Sequence, residues 1–268
     1  MPFGTRSAAS ARPQSATSSE GGGASPLKSL IFGFGSSLRR GLLVAAVLLG
    51  LCAFAIPEGA SGQQTCTSVT DGDWTASSTW DCDGDGNASD DGSPGTNDDA
   101  IIEHSISVGN DVTVSNVDLN SPGLLSPPLP TSSFSYTLTV TGTFSINYNG
   151  SNSEFDGASS FQGVTSQLGL DVGGTLTNSG EIDFSGASAV PFISSGSITN
   201  KSGASINLGN LNLFVGGNFT NDGDFTSNGN TLTFDGGTTQ QVSGSFGSNN
   251  PFGSVEINGQ GTDVTFSP

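Results

Sequence analysis

Eleven residues concentrate the chemistry available to this chain's side chains: Asp81-Cys-Asp-Gly-Asp-Gly-Asn-Ala-Ser-Asp-Asp91. Asp81, Asp83 and Asp85 alternate and precede Gly86, as in the first half of a calcium loop. Alternation aims three carboxylates at one centre, Asn87 offers its carbonyl and Ser89 a hydroxyl, while glycine permits the sharp turn. The bidentate Glu that closes such a loop at its twelfth position is missing, because Gly92 stands there. Asp90 or Asp91 closes the loop only with a different geometry. Calcium on Asp81, Asp83, Asp85, Asn87 and Ser89 is the expectation, and a solvated acidic loop is the alternative. No other cofactor is expected.

Catalytic constellations are thin elsewhere. His104 is the sole histidine; it alternates with Ile102 and Ile106 on their face and reads as a half-buried packing residue. A uronate lyase needs basic residues to abstract a proton and neutralise a carboxylate, and residues 63–268 contain Lys201 and no arginine. A glycoside hydrolase needs only two carboxylates. Pairs such as Glu181 with Asp183 and Asp222 with Asp224 are unavoidable among 22 acidic side chains and argue little for it. The expectation is that the chain is not an enzyme.

The positioning elements start after a leader. Residues 1–40 carry Arg6, Arg12, Lys28, Arg39 and Arg40; an uncharged apolar run, Gly41 to Ile56, follows, and Ala60-Ser61-Gly62 supplies a small-residue exit. These are the parts of a secretory signal, with cleavage expected after Gly62. An uncleaved anchor is the alternative, although the run is shorter than the ~20 residues of a span. A lipoprotein attachment at Cys52 is disfavoured because Leu51 stands where a small residue belongs. The expected address is secreted or cell surface, with no membrane contact beyond the leader. Cys66 and Cys82 then form an even pair, expected to bridge in an oxidising compartment. Such a bridge contributes about 3 kcal/mol in the chain-entropy model. Two free thiols are the alternative, and zinc lacks further Cys or His ligands.

From residue 63 one lysine faces 22 acidic residues, a formal charge of −21. Nucleic acid is excluded as a partner, because phosphate contacts need Lys and Arg, and anionic lipid is disfavoured for the same reason. Scarcity of lysine throughout favours adaptation to high salt, where a Debye length of about 3 Å screens the self-repulsion.

Four segments follow the leader. Residues 63–120 form an N-terminal cap, with Trp74 and Trp80 inside the cysteine loop and period-2 runs at Ala100–Val108 and Asp111–Val117-Asp-Leu119. In the second run Val112, Val114, Val117 and Leu119 share a face only with a bulge near Ser115-Asn116. Residues 121–137 open with four prolines and read as an excursion from the body or a boundary, with a lid over one end of the solenoid as one form of it. From 138 to 268 a phrase restarts: Val172-Gly-Gly-Thr-Leu-Thr-Asn178, a degenerate Gly196-Ser-Ile-Thr-Asn200, and Val215-Gly-Gly-Asn-Phe-Thr-Asn221. The aligned Gly174, Gly196 and Gly217 are 22 and 21 residues apart. Repeats of ~20–30 residues with short strands and Gly/Asn turns indicate an all-β solenoid, here a parallel coil; a hairpin β-sandwich is the runner-up. Asn178, Asn200 and Asn221 share one place in the phrase and are expected to hydrogen-bond from rung to rung. Strand-like Val264-Thr-Phe-Ser-Pro268 ends the chain without a cap, so the body is expected to be truncated or covered.

Gly72-Asp-Trp-Thr-Ala-Ser-Ser-Thr-Trp80, then Pro94-Gly-Thr-Asn-Asp-Asp-Ala-Ile-Ile-Glu-His104 and Ile106-Ser-Val108, resembles the opening of large secreted bacterial β-helix proteins related to the G8-type domain. Gly216-Gly-Asn-Phe-Thr-Asn-Asp-Gly-Asp-Phe225 and Leu232-Thr-Phe-Asp-Gly-Gly-Thr-Thr-Gln-Gln-Val-Ser-Gly244 resemble their body repeats. Many such proteins are adhesin-like or matrix proteins of the Bacteroidota. The resemblance implies a right-handed parallel β-helix with the Trp segment near its N-terminal cap. This chain departs from the pattern in its Asp-rich insert and in lacking a C-terminal sorting module. The function expected is structural or adhesive, at a cell surface or matrix, with polysaccharide as the candidate partner. Neutral-glycan binding is the alternative, and a polysaccharide hydrolase is third.

Overall fold

The computed structural model describes residues 62–88, 91–129, 133–148, 153–161, 164–188, 190–194, 196–245 and 252–267. Residues 1–61 of the leader, Ser89, Asp90 and Pro130 lie outside the described residues. Apart from a single 3-10 turn, Ser77–Thr79, the regular structure described is β-strand.

The strands form three sheets of ten, seven and eight members. One circuit illustrates the path: Leu176–Asn178 lies in the first sheet, Glu181–Asp183 in the second and Phe192–Ser194 in the third, and Ile198–Asn200 returns to the first. Each strand pairs in parallel with the strand one circuit earlier, as Leu176↔Ile198, Ile182↔Ile206 and Phe192↔Leu213 show. The antiparallel pairs are Thr65–Ser68 with Trp80–Asp81 at one edge and the local Ala158–Phe161 with Val164–Val172. Long parallel sheets visited in rotation make the body solenoid-like and differ from a β-sandwich, whose sheets are antiparallel. Residues 63–120 contribute strands to the same three sheets as the later repeats.

Short strands suffice because each inward side chain stacks on its counterpart. Phe144, Leu176, Ile198, Phe219 and Val242 form one buried column in register along the first sheet. Phe155, Ile182, Ile206 and Phe225 form another along the second. Rings meet across the interior, with Phe155–Phe184 centroids 5.4 Å apart and Phe219–Phe225 also 5.4 Å. The expected asparagine ladder is formed: Asn178 Nδ2 donates to Asn200 Oδ1 at 2.9 Å, and Asn200 Nδ2 to Asn221 Oδ1 at 2.7 Å, all three residues being fully buried. The repeat's glycines stack as well. A Cβ on Gly196 would collide with the backbone of Gly174, and one on Gly217 with that of Gly196. Close backbone approach at this corner is the reason for glycine there.

Three expectations are corrected. Ala100–Val108 is not one strand: Asp99–Ile102 lies in the first sheet and Ser105–Ser107 in the second, with Glu103-His104 as the corner. Nor does a bulge sit at Ser115-Asn116, because Val112–Val114 and Asn116–Asn120 belong to different sheets and Ser115 is the corner. A one-residue corner shifts in/out alternation just as a bulge does, so periodicity cannot separate them. Inside the Pro-rich stretch, Leu124–Ser126 is a ladder strand between Ser105–Ser107 and Glu154–Asp156, and Leu125 is buried.

Candidate functional site

The Asp-rich loop is anchored on both sides. Asp81 closes the edge strand Trp80–Asp81 and pairs with Thr67, while a disulfide joins Cys82 to Cys66 beneath it. Trp74 and Trp80 pack 5.0 Å apart, and Trp80 Nε1 donates to the Trp74 carbonyl at 2.7 Å. The Asp81 carboxylate then winds the loop around itself, accepting the N–H of Gly84 at 2.7 Å and of Gly86 at 2.9 Å. Both glycines have positive φ, +80° and +84°, which a side chain would resist.

The carboxylates that meet differ in part from the expected set. Oxygens of Asp81, Asp83 and Asp91 lie within 4.8 Å of one another. Asp85 is outside this group, and its carboxylate accepts the N–H of Asn87 at 2.7 Å. Asp91 takes its place and accepts the N–H of Cys82 at 3.0 Å. Ser89 is not among the described residues. Three convergent carboxylates with spare lone pairs suit a hard divalent cation, which takes six to eight oxygens as Ca²⁺.

His104 is half-buried at its corner. Its Nδ1 lies 2.9 Å from the Ser68 carbonyl, which only accepts, so Nδ1 carries the proton. Ser68 Oγ accepts the N–H of Glu103 at 2.8 Å. The pair pins this corner to the first strand, and Nδ1 is thereby committed to a structural contact.

A second acidic group emerges from sheet register. Glu154 stands beside Glu181 and Asp156 beside Asp183 on neighbouring parallel strands, with Phe155 and Ile182 turned inward between them. Burial, and then the charge of Glu181, hold the Glu154 carboxyl above its ordinary range. Burial also raises that of Asp156, partly offset by the Ala158 N–H it accepts and reinforced by Asp183. Asp183 itself accepts from Asn207 Nδ2 at 2.9 Å and Ser185 N–H at 2.8 Å. The sequence signal for this group is the shared Glu-x-Asp around an apolar residue, Glu154-Phe-Asp156 and Glu181-Ile-Asp183. Pairing the two copies requires knowing the intervening corner lengths.

Together the fold and these groups define an acidic, disulfide-containing all-β protein built on three long parallel sheets, its carboxylates gathered at the edge loop and on one sheet face. Compared with protein-family models, curated proteins and solved structures, the chain matches none.

Proposed function

We propose that this is an exported structural or adhesin-like surface or matrix protein, its body a right-handed parallel β-helix, with no catalytic activity of its own. The observation that carries the reading is the interior: apolar columns, a buried asparagine ladder and stacked glycines fill successive circuits. Such a stack is a rigid spacer that displays long outward faces, and its physics favours presentation over chemistry. A formal charge of −21 beyond the leader, with Lys201 the one basic residue, suits a salty exterior and partners other than polyanions. Calcium at Asp81, Asp83 and Asp91 belongs to the same reading, as neutralisation of an edge loop that the disulfide already holds.

One observation favours a second reading. The in-register pairs Glu154–Glu181 and Asp156–Asp183, with Glu154 and Asp156 raised above the ordinary range, are what a polysaccharide hydrolase would need for an acid and its partner. Both readings meet one experiment. The exported chain is co-sedimented with insoluble polysaccharides and with whole cells in molar salt plus calcium, and the supernatant is assayed for released sugar. Retention without release supports the adhesive reading, and its loss on chelation locates calcium in the attachment. Release of sugar replaces that reading with the hydrolase, and neither retention nor release leaves a passive stalk.

A further inference from the structure

Corner length varies along the join between the first and second sheets. Six residues, Tyr148–Ser153, separate Phe144–Asn147 from Glu154–Asp156. Two, Ser179-Gly180, separate Leu176–Asn178 from Glu181–Asp183, and four, Lys201–Ala204, separate Ile198–Asn200 from Ser205–Asn207. The three circuits are stacked in register, Phe144 on Leu176 and Leu176 on Ile198. A concavity of about 170 Å³ opens at this join. Tyr148, Ser153, Ser179, Glu181, Gly203 and Ser205 line it.

Its lining specifies an occupant. Tyr148 is 54 % exposed, so its ring offers an apolar face at the rim. Ser179 and Ser205 supply hydroxyls that donate or accept, and the Glu181 carboxylate accepts. A flat apolar surface beside closely spaced donors and acceptors matches a pyranose ring, apolar on its faces and hydroxylated at its edge. The volume lies below the ~300–1,000 Å³ of drug-sized sites and is on the scale of one sugar ring. Neighbouring Glu154, Asp156 and Asp183 disfavour uronates and sulfated sugars. A metal ion is less suited: among the described residues the one group of three convergent carboxylates is Asp81, Asp83 and Asp91, on the distant edge loop.

We propose that this corner concavity is a subsite for a single uncharged pyranose unit of a glycan, with Tyr148 stacking on the ring and Glu181 accepting from its hydroxyls. The proposal rests on the surface-adhesive reading and gives it a ligand class. The full chain, in molar sodium chloride, is titrated with laminarihexaose, cellohexaose and maltohexaose by calorimetry and saturation-transfer NMR. Parallel titrations use Tyr148→Ala, Glu181→Gln and Ser179→Leu, the last adding bulk at a lining position, with Asp263→Asn as a control outside the lining. Native far-UV spectra and urea midpoints certify that each variant folds. Binding of at least one hexaose, weakened about tenfold or more by each concavity variant and unchanged by the control, is expected. No binding of any of the three overturns the proposal, as does binding that the variants leave intact or that chelator abolishes. If the variants still sediment with cells, the adhesive reading survives the failure of this subsite. If the parent chain does not sediment at all, that reading fails by itself.

Discussion

Replacing Asn200 by Asp changes one NH₂ for an oxygen, and the ladder makes the consequence large. Asn200 accepts from Asn178 Nδ2 at 2.9 Å and donates to Asn221 Oδ1 at 2.7 Å and to the Asp224 carbonyl at 2.9 Å, with no exposed surface. In Asn200→Asp the acceptor role toward Asn178 survives. The other oxygen, however, meets two groups that themselves only accept there. Two hydrogen bonds are lost and two buried acceptors orphaned, at about 1–3 kcal/mol each, so roughly 2–6 kcal/mol in all. Ionisation adds the penalty of a buried, unpaired carboxylate. The introduced group therefore has a folded pKa above its unfolded value. Stability is retained below the unfolded pKa, about 3.9, and lost as pH rises through the folded pKa. Urea unfolding in molar sodium chloride at pH 7 and pH 4 measures this, with Asn110→Asp as an exposed control of equal charge change. The control is expected within about 0.5 kcal/mol of the parent. Equal midpoints for the two variants at pH 7, or a loss for Asn200→Asp that does not shrink at pH 4, would refute the ladder as a stabilising element.

Gly196→Ala is expected to cost roughly 1–3 kcal/mol or more, because its Cβ collides with the Gly174 backbone, which has no soft torsion to yield. Gly92→Ala, with open space around its Cβ, should be near neutral, and urea midpoints of the two variants decide the matter. Glu154 and Asp156, raised above their ordinary 4.5 and 3.8 first by burial, make the folded state bind protons more readily than the unfolded one. Their contribution is fully present below those ordinary values and lost as pH rises through the folded ones. The urea midpoint is therefore expected to rise on acidification from neutrality by more in the parent than in a Glu154→Gln/Asp156→Asn double variant, and equal slopes would contradict the assigned cause.

Much of the body is legible in the sequence because stacked positions must resemble one another. Gly174, Gly196 and Gly217 recur since each backbone rests on the last, and Asn178, Asn200 and Asn221 recur since each amide serves the next. The bridge between Cys66 and Cys82 is expected from the even pair of cysteines beyond the leader, and it is formed. Corners are where reading fails. Ser115 alone turns the chain between sheets and imitates a bulge, and Leu124–Ser126 enters a ladder from among prolines that suggest an excursion. The acidic loop is half legible for a related reason. Alternation places Asp81 and Asp83 together, but Asp85 spends its carboxylate on the following backbone, and Asp91, one of two closing residues the sequence offered, joins them.

The variable corners explain why polar groups are needed in the interior at all. Aligned glycines are 22 and then 21 residues apart, and the corner after each ladder asparagine ranges from two residues at Ser179-Gly180 to four at Lys201–Ala204. Repeat length therefore does not set the register between circuits. Apolar columns of Leu, Ile, Val and Phe discriminate weakly among themselves, since burial of apolar surface is non-directional. A buried amide does discriminate: out of register it faces aliphatic carbon and loses its partners, at about 1–3 kcal/mol for each orphaned group. Asn178, Asn200 and Asn221 thus hold adjacent circuits in one alignment, and the glycine column, which tolerates no side chain against it, enforces the same alignment sterically. With register fixed from inside, corner length is free to change without moving a strand.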